Sequence, residues 1–265
     1  MTTDTFEGEL RRIEAEAESA LRAATAVVRE LKKVRATAAT GQVRDLRRAL
    51  ERSRELAAEA VSATRDLRAG PAVEDAREYL TSGAYTKELL SAAAEAGVSV
   101  YEADDGLLCY PSLVRLLPGD EGVDIDGRRE RRLRPSVLIA ALAATQQAGP
   151  RFKPEPFLET LAAGYRLVLG EQGKPSGTVV RLVDLHRILT LLPGRARDYP
   201  KSEFARDLYL LDSSRHTWTK DGRVMSLSAS TGTRQAGVLT TVSKGGERQR
   251  YWGIAFAAQP SQVPR

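Results

Sequence analysis

Apolar residues in the first 70 positions recur at alternating spacings of three and four, which is typical of helices that bury one stripe against a partner. The first stripe contains Leu10, Ile13, Ala17, Ala20, Ala24, Val27, Leu31, Val34 and Ala38. The second contains Val43, Leu46, Leu50, Ser53, Ala57, Ala60, Thr64 and Leu67. Thr40-Gly41 separates the two stripes, and glycine ends helices by adopting a left-handed conformation. Residues 1–70 are therefore predicted to form an antiparallel coiled-coil hairpin.

The middle of the chain, residues 71–150, mixes helical and strand patterns. Helices are predicted over 73–82, 86–96 and 136–147, and short strands over 98–101, 107–110 and 113–117. Two further strands, 123–125 and 131–133, flank Asp126-Gly127, a dipeptide that favours a tight hairpin turn. This part is predicted to be a small α+β segment.

The last part, residues 151–265, follows an order of elements that is known from one superfamily. Predicted helices over 154–169, 184–192 and 202–211 enclose a short strand at 178–182, and strands at 224–227, 238–242 and 249–256 follow. This order of helix, strand, helix, turn, helix and hairpin resembles the winged helix-turn-helix superfamily over roughly residues 154–258. The resemblance implies a winged-helix-like domain, and the expected fold class is mostly α with small β-sheets (α+β).

Composition argues against several classes of protein but does not identify one function. No stretch approaches the roughly 20 apolar residues of a membrane helix, and the polar, acidic start of the chain is unlike a secretory signal, so we expect a cytoplasmic protein without membrane contact. One cysteine, Cys109, and two histidines, His186 and His216, make a metal site unexpected. The segment 173–177 lacks the spacing of a phosphate loop and 230–233 is an ordinary polar turn. We therefore expect a non-enzymatic protein with no cofactor.

Basic residues are concentrated around the predicted hairpin turn. Residues 22–54 contain ten basic and three acidic residues, whereas the first 18 residues are rich in acidic ones. An antiparallel hairpin would bring the basic halves of both helices together at its free end, and such a tip suits contact with phosphates. A solvated helix surface and a site for an acidic protein are the alternatives. The candidate tip residues are Lys32, Lys33, Arg35, Arg44, Arg47 and Arg48.

Further basic residues are candidates in the other two parts. Arg128, Arg129 and Arg131 follow the predicted turn, where a ribbon could carry them to a phosphate backbone or where they keep an edge strand soluble. With Phe204, Leu208 and Leu211 buried, Lys201, Ser202, Arg206 and Tyr209 are expected to face outward from the predicted recognition helix. The remaining candidates of the C-terminal part are Arg195, Arg197, Arg223, Lys244 and Arg248.

The charge pattern favours nucleic acid as the target. A net charge of +5 suits a polyanion. We expect a DNA-binding regulator or an accessory subunit of a DNA-acting complex, in which the hairpin tip and the C-terminal module bind together. The alternative is a structural adaptor whose coiled coil and winged helix bind partner proteins or a second copy of the chain.

Overall fold

A computed structural model describes residues 5–192, 194–229 and 237–258, and the polar turn predicted at 230–233 lies outside the described residues. The chain is a mixed α+β protein in which helices predominate and the strands form small antiparallel sheets. The helices are α1 (Phe6–Thr40), α2 (Val43–Asp66), α3 (Pro71–Glu74), α4 (Ala76–Thr81), α5 (Ala84–Glu95), α6 (Pro135–Gln147), α7 (Pro154–Gln172), α8 (Leu182–Leu189), α9 (Arg195–Asp198) and α10 (Lys201–Ser213). The strands are β1 (Tyr101–Ala103), β2 (Gly106–Cys109), β3 (Ser112–Leu117), β4 (Gly122–Ile125), β5 (Arg128–Glu130), β6 (Val180–Arg181), β7 (Arg223–Ser228), β8 (Leu239–Val242), β9 (Arg248–Tyr251) and β10 (Gly253–Ala258).

The first two helices form a hairpin that turns at Gly41. The Thr5 hydroxyl caps α1 by accepting a hydrogen bond from the Gly8 amide at 3.1 Å. At the other end Gly41 has φ = 71°, a left-handed conformation in which glycine carries no steric penalty. Helix α2 begins at Val43 and packs along α1. The predicted pair of helices and the position of their turn are confirmed.

The contact seam of this hairpin differs from the predicted stripe at several positions, among them Ala24, Leu31 and Ala38 in α1, which are exposed. The residues turned away from solvent include Ala23, Glu30 and Thr37 in α1, and Ala49, Leu56 and Ala63 in α2. The predicted positions Leu31 and Leu50 are instead 50% and 37% exposed. The apolar stripe of each helix is wider than the surface that one partner helix can cover. The helices contact each other along one side of this stripe, where small and polar side chains lie, and the larger apolar side chains on the other side stay exposed.

The described chain forms two compact units, each assembled from separate stretches of sequence. The first contains the described residues up to Ala92 together with Leu117–Gly122 and Arg131–Leu138. Beside the start of α1, the ring of Phe6 lies 5.9 Å from that of Tyr79 and 5.7 Å from that of Tyr85. Tyr85 is fully buried, and its hydroxyl donates to the Leu133 carbonyl at 2.6 Å.

The second unit contains Ala93–Leu116, Val123–Glu130 and the described residues from Ile139 onward. Helices α7, α8 and α10 bury their apolar faces together with strands of the antiparallel sheet β6-β10-β7, around Tyr165, Phe204 and Phe256. Strands β8 and β9 pair as a separate hairpin, and Val242 of β8 packs on Leu108 and Leu113. The division into domains at residues 70 and 150 stays a prediction.

The strands β1 to β5 pair in chain order as one antiparallel sheet. Asp126 and Gly127 both have positive φ, 53° and 85°, so the predicted two-residue hairpin turn is confirmed. The returning strand is β5, however, and the prediction of a strand over 131–133 is wrong. A two-residue turn fixes the register so that Ile125 faces Arg128, and because β4 begins at Gly122, Arg132 and Leu133 have no β4 residue opposite them. No helix within the described residues is long and apolar enough to span a bilayer.

Candidate nucleic-acid interface

The free end of the helical hairpin is a surface of exposed cations. All six predicted tip residues have exposed side chains, and α1 and α2 bring them to the same end of the hairpin. Lys33 pairs with Glu30 at 2.9 Å. Within the described ranges the other five, Lys32, Arg35, Arg44, Arg47 and Arg48, have no carboxylate within ion-pair distance. These cations are therefore available to an anion from solution.

At the opposite end of the hairpin, three carboxylates cap helices instead of facing solvent as free charges. Glu88 accepts hydrogen bonds from the first two amides of α1, those of Phe6 at 3.0 Å and Glu7 at 2.8 Å. Glu9 is buried and accepts from the amides of Ala72 and Val73, both at 3.0 Å, in the first turn of α3. Each carboxylate binds amides of the first turn of a helix, where amides lack the partners that they have in the middle of a helix, and lies at the positive end of the helix dipole. The Val73 amide also donates to the Gly70 carbonyl at 3.1 Å.

The third capping carboxylate is that of Glu7. It accepts from the Ser136 amide at 3.0 Å, near the start of α6, and from the Arg134 guanidinium at 2.9 Å. Burial alone would raise the pKa of Glu7, but hydrogen bonds from Ser136 and Arg134 outweigh it and lower that pKa. Arg134 also contacts Glu14 at 2.6 Å. The acidity of the hairpin base thus has a structural use, which sequence reasoning missed because the bonded partners lie more than 60 residues apart.

The three candidates that follow the β4–β5 turn are exposed. Arg128 and Arg129 lie on β5, and Arg131 follows it. Because β5 has only three residues, the expected row of alternate arginines on one strand does not form. Arg128 and Arg129 instead lie together beside the turn, within reach of solvent.

The expectation that Arg206 faces solvent from α10 is wrong. Its side chain is buried, with the residue 6% exposed, and Nη2 donates to the carbonyl of Ala148 and, at 3.4 Å, to that of Gly149. Its Nε is buried without a hydrogen-bond partner among the described residues. The loop after α6 covers this face of α10, a contact that helical periodicity within α10 could not reveal.

Tyr209, a second residue expected on the outer face of α10, is also engaged within the second unit. Its hydroxyl accepts from the Lys244 amide at 3.0 Å, and its ring lies 5.8 Å from that of Tyr110. Of the four α10 residues expected to face outward, Arg206 and Tyr209 are therefore engaged in intramolecular contacts, whereas Lys201 is exposed and Ser202 is half-exposed.

The two candidates on β-strands of the C-terminal part, Arg223 on β7 and Arg248 on β9, both have acidic partners. Arg248 contacts the Asp105 carboxylate, and this guanidinium lowers the pKa of Asp105. Arg223 lies 3.2 Å from Asp221. Lys244 is exposed, with its ammonium 5.9 Å from the centre of the Tyr110 ring. The remaining exposed candidates of this part are Arg195 and Arg197 on α9 and Lys201 at the start of α10.

A cleft of about 400 Å³ opens in the second unit near the β4–β5 turn and the start of α10. It brings Arg128 and Arg129 together with Arg206, but acidic side chains line it too, and Arg151 pairs with Glu203 at 2.9 Å. Sequence reasoning missed it, because its walls come from four distant stretches. The lining residues are Pro111, Ser112, Ile125, Asp126, Arg128, Arg129, Glu130, Thr145, Arg151, Pro200, Ser202, Glu203 and Arg206.

In the part of the chain that the structure describes, no group of three or more His, Cys, Asp or Glu side chains is placed to hold a metal ion. The hairpin tip is thus the strongest candidate surface, and its chemistry is the binding of anions. Comparison of the chain with protein-family models, with curated proteins and with solved structures found no match.

Proposed function

We propose that the protein is a non-enzymatic, nucleic-acid-associated protein that grips the phosphate backbone of DNA with the tip of its helical hairpin. The observation that carries the proposal is the set of five exposed tip cations without an acidic partner among the described residues, in a segment of ten basic and three acidic residues. Each cation that neutralises a phosphate releases a bound counterion, which supplies affinity independent of base sequence.

The arrangement supports contact with the backbone rather than reading of bases. Bases are read by side chains that enter a groove, and in α10 both Arg206 and Tyr209 are engaged in contacts within their own unit. Arg195, Arg197 and Lys201 are exposed and offer a second, smaller set of phosphate contacts. A regulator with strict sequence specificity is accordingly less well supported than an accessory subunit of a DNA-acting complex.

The proposal is tested by fluorescence anisotropy with a labelled DNA duplex over a range of salt concentrations. If six tip cations each neutralise one phosphate, log affinity falls with log salt at a slope of about −5, a loss of about 10³ between roughly 50 and 200 mM salt. Changing all six to glutamine removes most of this slope. The tip variant carries the substitutions Lys32→Gln, Lys33→Gln, Arg35→Gln, Arg44→Gln, Arg47→Gln and Arg48→Gln.

A matched control removes the same charge elsewhere. Its six positions are exposed and have no ion-pair partner among the described residues: Arg65, Arg68, Arg77, Lys87, Lys153 and Lys174. We expect this variant to keep the slope of the unaltered protein, because general attraction to DNA depends on net charge but counterion release depends on contact. Equal losses in both variants would contradict a site at the tip, and no binding at low salt would reject the proposal.

A second candidate function is that of an adaptor whose modules bind proteins. The observation that favours it is that Arg206 and Tyr209 on α10 are engaged in contacts within their own unit, because a winged-helix-like module reads bases with side chains of its recognition helix that are free to enter a groove. Under this alternative the basic tip binds an acidic surface of a partner protein, and DNA does not compete for it.

A further inference from the structure

One side of the hairpin exposes large apolar side chains that no described element covers. These are Leu21, Val28, Leu31, Val43, Leu50 and Val61, with exposed fractions from 37% to 67%. Scattered apolar residues are normal on protein surfaces, but a contiguous patch marks a site of association. The question is therefore whether these six lie together.

Their positions relative to the seam place them on one face. In α1 the buried positions Ala20 and Glu30 mark the seam, and the exposed apolar residues Leu21 and Leu31 each follow a seam position by one residue. In α2 Leu50 likewise follows the buried Ala49. Two antiparallel helices in contact are related by a two-fold axis perpendicular to their common plane, so equivalent positions lie on the same side of the pair. All six side chains thus belong to one apolar face.

The same residues form layers across the two helices. Since α1 ends at Thr40 and α2 begins at Val43, residues whose numbers sum to about 83 lie at the same height. With a rise of about 1.5 Å per residue, Leu31 lies within about 3 Å of the height of Leu50, and Leu21 within about 1.5 Å of that of Val61. The apolar face is a ladder of such layers, which is the pattern of a surface that packs against further helices.

The side of the hairpin that carries these residues is large enough for a stable interface. The 24 residues of α2 give a length of about 36 Å, and two helices side by side are about 20 Å wide. The whole side, polar residues included, therefore measures roughly 700 Å², close to the about 800 Å² that a standard protein interface buries on each partner.

Charge along the hairpin decides which partner fits and in which direction. The tip, residues 22–54, has ten basic and three acidic residues, a net charge of +7. The base, residues 6–21 and 55–66, has eight acidic and three basic residues. Without Glu7 and Glu9, which cap helices, six acidic and three basic residues remain, a net charge of −3. A second hairpin that lies tip to base on the first pairs opposite charges at both ends, whereas one that lies tip to tip brings +7 against +7.

We propose that the apolar face binds a second copy of the chain in the tip-to-base direction, forming a symmetric four-helix bundle. The two-fold axis lies in the interface and crosses the hairpin, so each copy contributes the same residues, as in most protein dimers. This inference goes beyond phosphate binding. Arg35 and Arg47 of the tip follow the half-buried seam residues Val34 and Leu46 by one position and so lie on the same side as the apolar face, whereas Arg48 lies on the other side and stays available to phosphate in the dimer.

Association is tested on the full chain by sedimentation velocity and light scattering in the micromolar range. The unaltered protein is expected to be a dimer. The double variant Leu31→Glu with Leu50→Glu places two charges in the apolar face and is expected to be a monomer. The control Ala36→Glu with Ser62→Glu adds the same charge at exposed positions on the opposite side and is expected to remain a dimer. A monomeric unaltered protein, or a dimer that survives the first variant, overturns the proposal.

The direction of pairing is tested with a spin label on Thr40→Cys at the exposed tip. Cys109 is fully buried and its thiol pKa is raised to about 11 by burial and by Asp126, so the introduced cysteine is the one that is labelled. Tip-to-base pairing predicts a distance of about 40 Å between the two labels, and tip-to-tip pairing predicts less than about 20 Å. The shorter distance would contradict the charge argument.

Discussion

Removal of the buried Glu9 carboxylate is expected to destabilise the hairpin base more than any exposed charge in α1 would. Glu9 is 3% exposed, and its two carboxylate oxygens accept from the amides of Ala72 and Val73 at 3.0 Å each. A hydrogen bond to a charged group contributes about 1.5–3 kcal/mol. The Val73 amide keeps its bond to the Gly70 carbonyl at 3.1 Å when Glu9 is removed, whereas Ala72 is buried and its amide loses the bond to Glu9. We therefore expect Glu9→Ala to cost about 2–4 kcal/mol.

The control for this variant is Glu18→Ala, in the same helix. Glu18 is exposed and lies 4.0 Å from Arg22, a geometry that contributes less than about 0.5 kcal/mol. Urea unfolding followed by circular dichroism gives the two changes in the free energy of unfolding. Hydrogen exchange at the Ala72 and Val73 amides reports the cap directly, because exchange should accelerate in Glu9→Ala alone.

Gly70 provides a second test of the same contact. A Cβ atom at this position would lie 2.4 Å from the Glu9 carboxyl carbon, so Gly70→Ala must displace the carboxylate. With Glu9 already changed to alanine that collision is absent, and the two substitutions together should cost less than their sum. Strictly additive costs, or a Glu9→Ala protein as stable as Glu18→Ala with its amides still protected, would refute the reasoning.

Two further predictions concern buried groups of the second unit. Burial, followed by the charge of Asp126, raises the pKa of Cys109 to about 11, so the native thiol should resist a thiol reagent at pH 8 and react on unfolding; rapid reaction in the native state would contradict its burial. Burial, aided by Asp124, raises the pKa of Asp126 despite hydrogen bonds from Leu113 and Ser112 and the charge of Arg115. Ionisation of Asp126 therefore lowers stability as the pH rises from its ordinary pKa of 3.8 through the raised folded value. Asp126→Asn should stabilise the protein at neutral pH and lose this advantage at pH 3, and an advantage that is unchanged at pH 3 would contradict the shift.

The sequence predicts correctly those features that depend on neighbouring residues alone. The hairpin turn at Gly41 and the turn at Asp126-Gly127 follow from glycine conformations between patterned segments, and both are observed. The seam of the hairpin could not be chosen in the same way, since α1 is apolar both at Ala23 and at Ala24. Which of two adjacent stripes faces the partner depends on the fit of both helices, and this is a tertiary property.

The contacts at the hairpin base were beyond prediction for a different reason. Glu9 and Glu7 follow Thr5 at the start of α1, where acidic residues are expected to interact with the dipole of their own helix. In the structure they cap α3 and the start of α6, and α1 is capped by Thr5 and by Glu88. Caps exchanged in this way produce no recognisable pattern in the sequence, because the donor and the acceptor are distant along the chain and only the fold brings them together.

Two arginines that the charge pattern does not distinguish differ in their availability to a ligand, because one is exposed and the other is buried. Arg47 at the hairpin tip is exposed and without an acidic partner among the described residues, so an anion from solution can bind it. The sequence predicts the same role for Arg206, yet its guanidinium donates to backbone carbonyls of the second unit. A helix order that resembles a DNA-binding superfamily therefore carries no function by itself, since function depends on which faces remain free. By that criterion the exposed surfaces of the hairpin, basic at the tip and apolar along one side, are where partners should first be sought.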